Sequence, residues 1–191
     1  TRGSYDYWAV KINSSGTKVW DKRFGGSFDD YARAVVSTGD GFILAGESYS
    51  AADGDKTEAN QGVAQFLCDY WAVKIDASGT MLWDKRFGGS NNDSCSAIVS
   101  SGDGGFVLAG TSESAGDGDK DEETRGGRDY WAVRIDALGS KVWDKRFGGT
   151  SADTLSAIAA SADGGFLLAG ISDSGVGGDK TESAQGSTDY W

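Results

Sequence analysis

Apolar and polar residues alternate along short runs of this chain, and the runs recur in one order. In "YWAVKI", Trp8, Val10 and Ile12 fall on one face, and Tyr7, Ala9 and Lys11 on the other. Side chains alternate across a strand but return every three to four residues on a helix. No run sustains the helical spacing, so the pattern predicts strands. In the first full unit there are four: "ARAVVS", "FILAGES", "DYWAVKID" and "MLWDKRFGG". "TGDG" joins the first pair, "ASGT" joins the last, and a long polar, Gly-rich loop lies between. Gly, Asp and Ser suit such places, through positive φ or side-chain bonds to the local backbone.

The unit repeats. Trp8, Trp71, Trp131 and Trp191 stand at equivalent places, in steps of 63, 60 and 60 residues. "KVWDKRFGG" ends at Gly26, "MLWDKRFGG" at Gly89 and "KVWDKRFGG" at Gly149, while "GFILAG", "GGFVLAG" and "GGFLLAG" keep step. Such periods belong to propellers, solenoids and arrays. Four short antiparallel strands per unit is the construction of a propeller blade. The expected fold class is all-β: β-propeller blades of four antiparallel strands, in three repeat units of about 60 residues. Small Ala32, Ala34 and Ala45 suit the crowded centre, and bulky Trp71 and Trp83 the wider outer part. The alternative is a β-rich solenoid or open array.

On this reading, residues 1–191 form one repetitive region. It holds an outer strand pair at 5–27, blades at 28–90 and 91–150, and an inner pair with the start of another outer strand at 151–191. Three blades in all are fewer than a propeller ring ordinarily uses. Further blades from a longer chain, or a homodimer closing a six-bladed ring, are expected to cover the strand edges.

The units "DYWAVKIDASGT", "WDKRFGGS" and "DGGFVLAGTS", followed by "GDK", resemble the tandem repeats of large secreted or surface proteins of Bacteroidetes-type bacteria. The resemblance covers essentially the whole chain. It implies a β-propeller, an extracellular or cell-surface location and a scaffold or interaction role. The first full unit departs from the pattern in "TGDGF", which lacks one Gly, and in an expanded loop from Val63 to Cys68.

Composition narrows the partners. The net charge is −11, which disfavours phosphate backbones, so no nucleic acid is expected. No run approaches a membrane helix, so no membrane insertion is expected. Cys68 and Cys95 suit either one disulfide or buried free thiols.

The long loops carry the candidate chemistry. Asp53, Asp55, Glu58 and Asp69 recur as Asp117, Asp119, Glu122 and Asp129, then as Asp179, Glu182 and Asp189, with Gly177 replacing the first Asp. Carboxylates in a flexible Gly-rich loop can coordinate Ca2+, although the spacing is not that of an EF-hand. The alternative is a solvated loop whose Asp side chains cap their own turns. Asp6, Asp69, Asp129 and Asp189 precede strands, where each can accept N–H bonds from the preceding loop. Asp30, Asp93 and Asp153, like Asp40, Asp103 and Asp163, fit turn and cap duties. The recurring tryptophans fit core filling, or a lectin-like glycan surface if exposed.

Enzyme signatures are sparse. The chain has no His, so no Ser-His-Asp triad is possible, and no phosphate-binding "GxxxxGK[ST]" is present. A carboxylate-based glycoside hydrolase is the catalytic alternative. The expected role is a non-enzymatic scaffold or interaction module, stiffened by Ca2+, with a protein or glycan partner.

Overall fold

In a computed structural model, described for residues 3–62 and 66–191, the protein is all-β and antiparallel. The expanded loop expected from Val63 to Cys68 falls partly outside the described residues. The strands are β1 (Tyr7–Ile12), β2 (Lys18–Phe24), β3 (Asp30–Ser37), β4 (Gly41–Ser48), β5 (Asp69–Asp76), β6 (Met81–Phe87), β7 (Asp93–Ser100), β8 (Phe106–Ser112), β9 (Asp129–Ile135), β10 (Lys141–Phe147), β11 (Asp153–Ala160), β12 (Phe166–Ser172) and β13 (Asp189–Tyr190).

They form four sheets in chain order. Sheet I is β1-β2, sheet II is β3-β4-β5-β6, sheet III is β7-β8-β9-β10 and sheet IV is β11-β12-β13. Every neighbour follows in sequence, so each sheet is a meander. Sheets II and III have tight turns inside their two hairpins and a long connection from β4 to β5 and from β8 to β9. In the turns after β5 and β9, Gly79 and Gly139 adopt φ values of +83° and +84°. A side chain there would be strained.

One irregularity repeats. The first strand of each larger sheet gains a residue against its partner, between Ala32 and Ala34, Cys95 and Ala97, and Leu155 and Ala157. Such a bulge bends the strand and re-aims the extra side chain. In sheet III the extra residue is Ser96, whose hydroxyl donates to the Leu155 carbonyl of sheet IV at 3.1 Å.

The sheets pack broad face on broad face, in chain order. β7 lies across β3, β4 and β5, and β11 lies across β7, β8 and β9. The alternation read from the sequence explains this. Trp71, Val73 and Ile75 point toward sheet I, in a cluster with Tyr7, Phe24 and Leu44. Ile43, Ala45, Tyr70 and Ala72 point the other way, in a cluster with Ile98, Trp131, Val133 and Ile135 of sheet III. Strand β5 is thus apolar on both faces and buried along nearly all its length.

Candidate functional site

The seam between successive sheets is where the recurring residues meet. The Tyr of each Asp-Tyr-Trp reaches into the next unit. Tyr7 Oη donates to the Trp71 carbonyl at 2.9 Å, Tyr70 to Trp131 at 3.0 Å and Tyr130 to Trp191 at 3.0 Å. The rings lie against each other, with centroids 4.8, 4.9 and 5.0 Å apart. The Trp of the first three Asp-Tyr-Trp copies also donates its indole N–H to the Asp of the adjacent "WDKRF" strand. Trp8 bonds Asp21 at 3.2 Å, Trp71 bonds Asp84 at 3.0 Å and Trp131 bonds Asp144 at 2.9 Å.

At one end of each larger sheet lies a buried polar row. The register aligns Asp30, Ser48 and Asp69 in sheet II, and Asp93, Ser112 and Asp129 in sheet III. All six are nearly inaccessible. Asp30, Asp93 and Asp153 each accept the N–H of a "GG" glycine, Gly26, Gly89 or Gly149, at 2.8 Å. Each also accepts the hydroxyl of Ser50, Ser114 or Ser174. The lysine of each "GDK" folds down over the row. Lys56, Lys120 and Lys180 are 3%, 2% and 3% exposed. They donate to the carbonyls of Ser50, Ser114 and Ser174 at 2.8, 2.6 and 2.8 Å.

Burial dominates the electrostatics of this row. It pushes Asp69 up to about 7 and Asp93 up to about 6, and it lowers Lys56 to about 8. Asp129 rises and Lys120 falls for the same reason. One oxygen each of Asp69 and Asp129 is buried without a hydrogen-bond donor among the described residues. A carboxyl so placed favours its neutral form.

The loop carboxylates lie beside amides and cationic side chains. Asp53 and Asp117 accept the N–H groups of Ser27 and Ser90 at 2.8 and 2.9 Å. Asp55, Asp119 and Asp179 accept those of Gly25, Gly88 and Gly148. Asp119 and Asp179 also take a guanidinium from the preceding sheet, Arg86 at 2.6 Å and Arg146 at 3.1 Å. Glu58 pairs with Lys85 at 3.2 Å and Glu122 with Lys145 at 2.6 Å. Asp69, Asp129 and Asp189 accept the N–H groups of Gln61, Arg125 and Gln185 from the loops before them, at 2.8, 2.7 and 2.8 Å. Glu182 is exposed.

This donor set does not match the calcium expectation. Ca2+ takes six to eight oxygens, and apart from the exposed Glu182 these carboxylates lie beside N–H, guanidinium or ammonium groups. Among the described residues no group of three or more acidic, cysteine or histidine side chains is placed to hold a metal. Gly177 stands where Asp53 and Asp117 hold a linker amide, so the third loop lacks that brace.

The strand-capping roles expected of Asp69, Asp129 and Asp189 match these loop bonds. Asp40 and Asp103 bond the turn hydroxyls of Thr38 and Ser101, as turn duty requires. Both cysteines are free and buried, and burial pushes the Cys95 thiol up to about 12. Trp71 and Trp131 are fully buried, which leaves them unavailable to a glycan. The buried lysines were not among the expected site residues. Their signal was a lysine at the same place, after Gly-Asp, in all three loops.

No family model matches the chain. It is 24% identical over 181 residues, 92% of its length, to the regulatory protein FlaEY of Caulobacter vibrioides. The chain spans 19% of the length of that relative.

Proposed function

We propose that the chain is a segment of a β-propeller whose sheets are blades, and that it serves as a non-catalytic scaffold or interaction module outside the cell. The carrying observation is the seam. One set of contacts recurs three times, from Tyr7 to Trp71, Tyr70 to Trp131 and Tyr130 to Trp191. Consecutive four-stranded meanders packed face to face in chain order support the blade reading. The resemblance to secreted bacterial repeats supports the location. Loop aspartates are bonded to the preceding unit, Asp119 to Arg86 and Asp179 to Arg146, which suits bracing better than chemistry on a substrate. The relative from Caulobacter carries the name of a regulatory protein, and a module that binds other proteins is compatible with such a role.

A scaffold of this kind is held by nearest-neighbour contacts, so it tolerates loss of a whole unit. Excising residues 90–149 joins Gly89 to Thr150 and places Tyr70 against Trp191. The shortened chain should still melt cooperatively with a β-type circular dichroism spectrum. An unfolded product would overturn the modular reading. A glycan array and an affinity capture with the full chain then separate glycan from protein partners.

A further inference from the structure

We infer that a tyrosine cluster at the head of sheet II, Tyr5, Tyr31 and Tyr49 with Asp29 and the Arg33–Glu47 pair, binds a neutral glycan. The inference rests on the reading of the chain as an interaction module and deepens it, by naming the surface and the ligand class.

The repeat singles this cluster out. The residues that join the sheets recur unchanged, as in Tyr7, Tyr70 and Tyr130, or Asp30, Asp93 and Asp153, or Lys56, Lys120 and Lys180. Around them sheet II departs from its sisters. The rung beside the buried row is Tyr31 and Glu47 in sheet II, Ser94 and Thr111 in sheet III, and Thr154 and Ile171 in sheet IV. The bulged residue is Arg33, where the others have Ser96 and Ser156. Asp29 precedes the first strand, where the others have Asn92 and Ala152. Tyr49 follows the second strand, where the others have Glu113 and Asp173. Tyr5 precedes the first Asp-Tyr-Trp, and Cys68 and Arg128 precede the next two.

The six departures meet in space. The Tyr31 ring lies 5.4 Å from that of Tyr5 and 6.2 Å from that of Tyr49, the latter nearly perpendicular at 87°. The Arg33 guanidinium stands over the Tyr31 ring at 5.2 Å. Asp29 accepts the Tyr31 hydroxyl at 3.1 Å and the Tyr5 N–H at 3.2 Å. Arg33 donates through Nε and Nη2 to one oxygen of Glu47, the first of these at 3.0 Å.

Folding does not require this set. In sheet III the same backbone carries small polar groups, with the Cys68 N–H donating to Asn92 at 3.2 Å and Asn92 to Glu113 at 3.3 Å. The main-chain bond across the seam is kept, from Asp30 to Tyr5 at 2.9 Å and from Asp93 to Cys68 at 2.7 Å. Glu47 is 5% exposed, and a carboxylate at that depth is costly without a cation. Arg33 supplies the cation while its own side chain stays 51% exposed. Sheet II is complete and stands between sheets I and III, so Tyr31, Arg33, Glu47 and Tyr49 belong to a finished unit.

The chemistry selects the ligand. Tyr31, Tyr49 and Asp29 are half-buried, so the rings are held by their neighbours and still reach the surface. Tyrosine rings offer apolar faces to C–H groups and a polar tip beside them. The bond from Nε and Nη2 to Glu47 turns the Nη1 edge of Arg33 outward as a donor. Each Asp29 oxygen takes one bond and keeps a second lone pair. A donor and an acceptor beside aromatic faces match a sugar, whose vicinal hydroxyls accept one bond and donate another above a C–H face. Two carboxylates against one guanidinium, in a chain of net charge −11, disfavour phosphate, sulfate and uronate groups. A protein interface centres on an apolar core, whereas here every ring is bordered by polar groups. A few placed polar groups beside aromatic walls suit a small ligand.

A glycan array of neutral and acidic oligosaccharides, probed with the full chain, should show neutral glycans bound and acidic ones not. Calorimetric titration with the best-bound neutral oligosaccharide then tests the residues. Substitutions that copy sheet III should fold, because sheet III folds with them: Tyr31→Ser, Tyr49→Glu, and Arg33→Ser together with Glu47→Thr. Each should keep a cooperative melt and weaken binding about tenfold or more. Asp173→Ala, at the place of Tyr49 in sheet IV, should leave the affinity unchanged. A folded chain that binds no neutral glycan would overturn the inference. So would preference for acidic glycans, binding that survives all the sheet III substitutions, or a protein ligand that needs these residues in place of a glycan. Failure to fold after excision of residues 90–149 strikes the modular reading instead, so the two failures are separable.

Discussion

Tyr70 Oη donates to the main-chain carbonyl of Trp131, 61 residues away, at 3.0 Å inside a fully buried seam. The ring that carries the hydroxyl also packs on the Trp131 indole. One side chain thereby satisfies a backbone acceptor of the next sheet and fills space between the two. The recurrence of Asp-Tyr-Trp has this contact as its reason, since Tyr7, Tyr70 and Tyr130 each bond the Trp of the following copy.

Removing that hydroxyl leaves a buried acceptor with one donor fewer. Tyr70→Phe should cost about 1–3 kcal/mol in urea unfolding. Tyr190→Phe should cost nothing measurable in the single chain, since Tyr190 is 95% exposed. Equal effects at the two positions would contradict the assigned role.

Gly110 lies where the backbone of β7 comes closest. A Cβ on Gly110 would stand 2.0 Å from the Ser94 carbonyl oxygen, which belongs to the adjacent strand of the same sheet. Gly110→Ala should therefore lower the melting midpoint sharply, by separating β7 from β8. Gly39→Ala, with nothing within 4 Å, should leave it within the scatter of the measurement.

Stability should depend on pH through the buried row. Burial raises Asp69 from 3.8 to about 7, opposed by the Gln61 N–H, Arg86 and Lys56 and reinforced by the nearby Asp93. Between those values the folded chain keeps a proton that the unfolded chain has released. The stability linked to this group is full below 3.8 and is lost as pH rises through about 7. Asp69→Asn should flatten the fall across that window in denaturant titrations at several pH values. An unchanged profile would show that Asp69 stays ionised in the fold.

Metal removal should have no effect. Apart from the exposed Glu182, the loop carboxylates already lie beside N–H, guanidinium or ammonium groups, so EDTA followed by Ca2+ should leave the melting midpoint where it was. A calcium-dependent rise would restore the acidic loops as ligands.

The two thiols should be silent in the native state. Cys68 and Cys95 are both about 1% exposed and unpaired, and burial holds both protonated. A chromogenic disulfide reagent should report two thiols only after unfolding. Rapid labelling in buffer would place at least one of them outside the core.

The repeat, the strands and the turns were legible in the chain because their causes are local. Alternation in "YWAVKI" follows from side chains leaving a strand on opposite faces. Gly79 and Gly139 announce their turns because positive φ is strained for other residues. The capping role of Asp129 was legible for the same reason, since its donor, the Arg125 N–H, is four residues away.

What the one-dimensional text left open was decided between units. Asp119 reads as a cation ligand until Arg86 and the Gly88 N–H arrive from the preceding sheet, 33 and 31 residues back. Lys120 reads as a solvated charge until the loop folds it onto the Ser114 carbonyl, above Asp93 and Asp129. Trp8 and Trp71 sit in the same seven-residue sequence, yet one is exposed and the other buried. The difference is whether a neighbouring sheet lies against that face. Local pattern settles which way a side chain points, but burial and pairing depend on what stands opposite, and packing brings that from another unit.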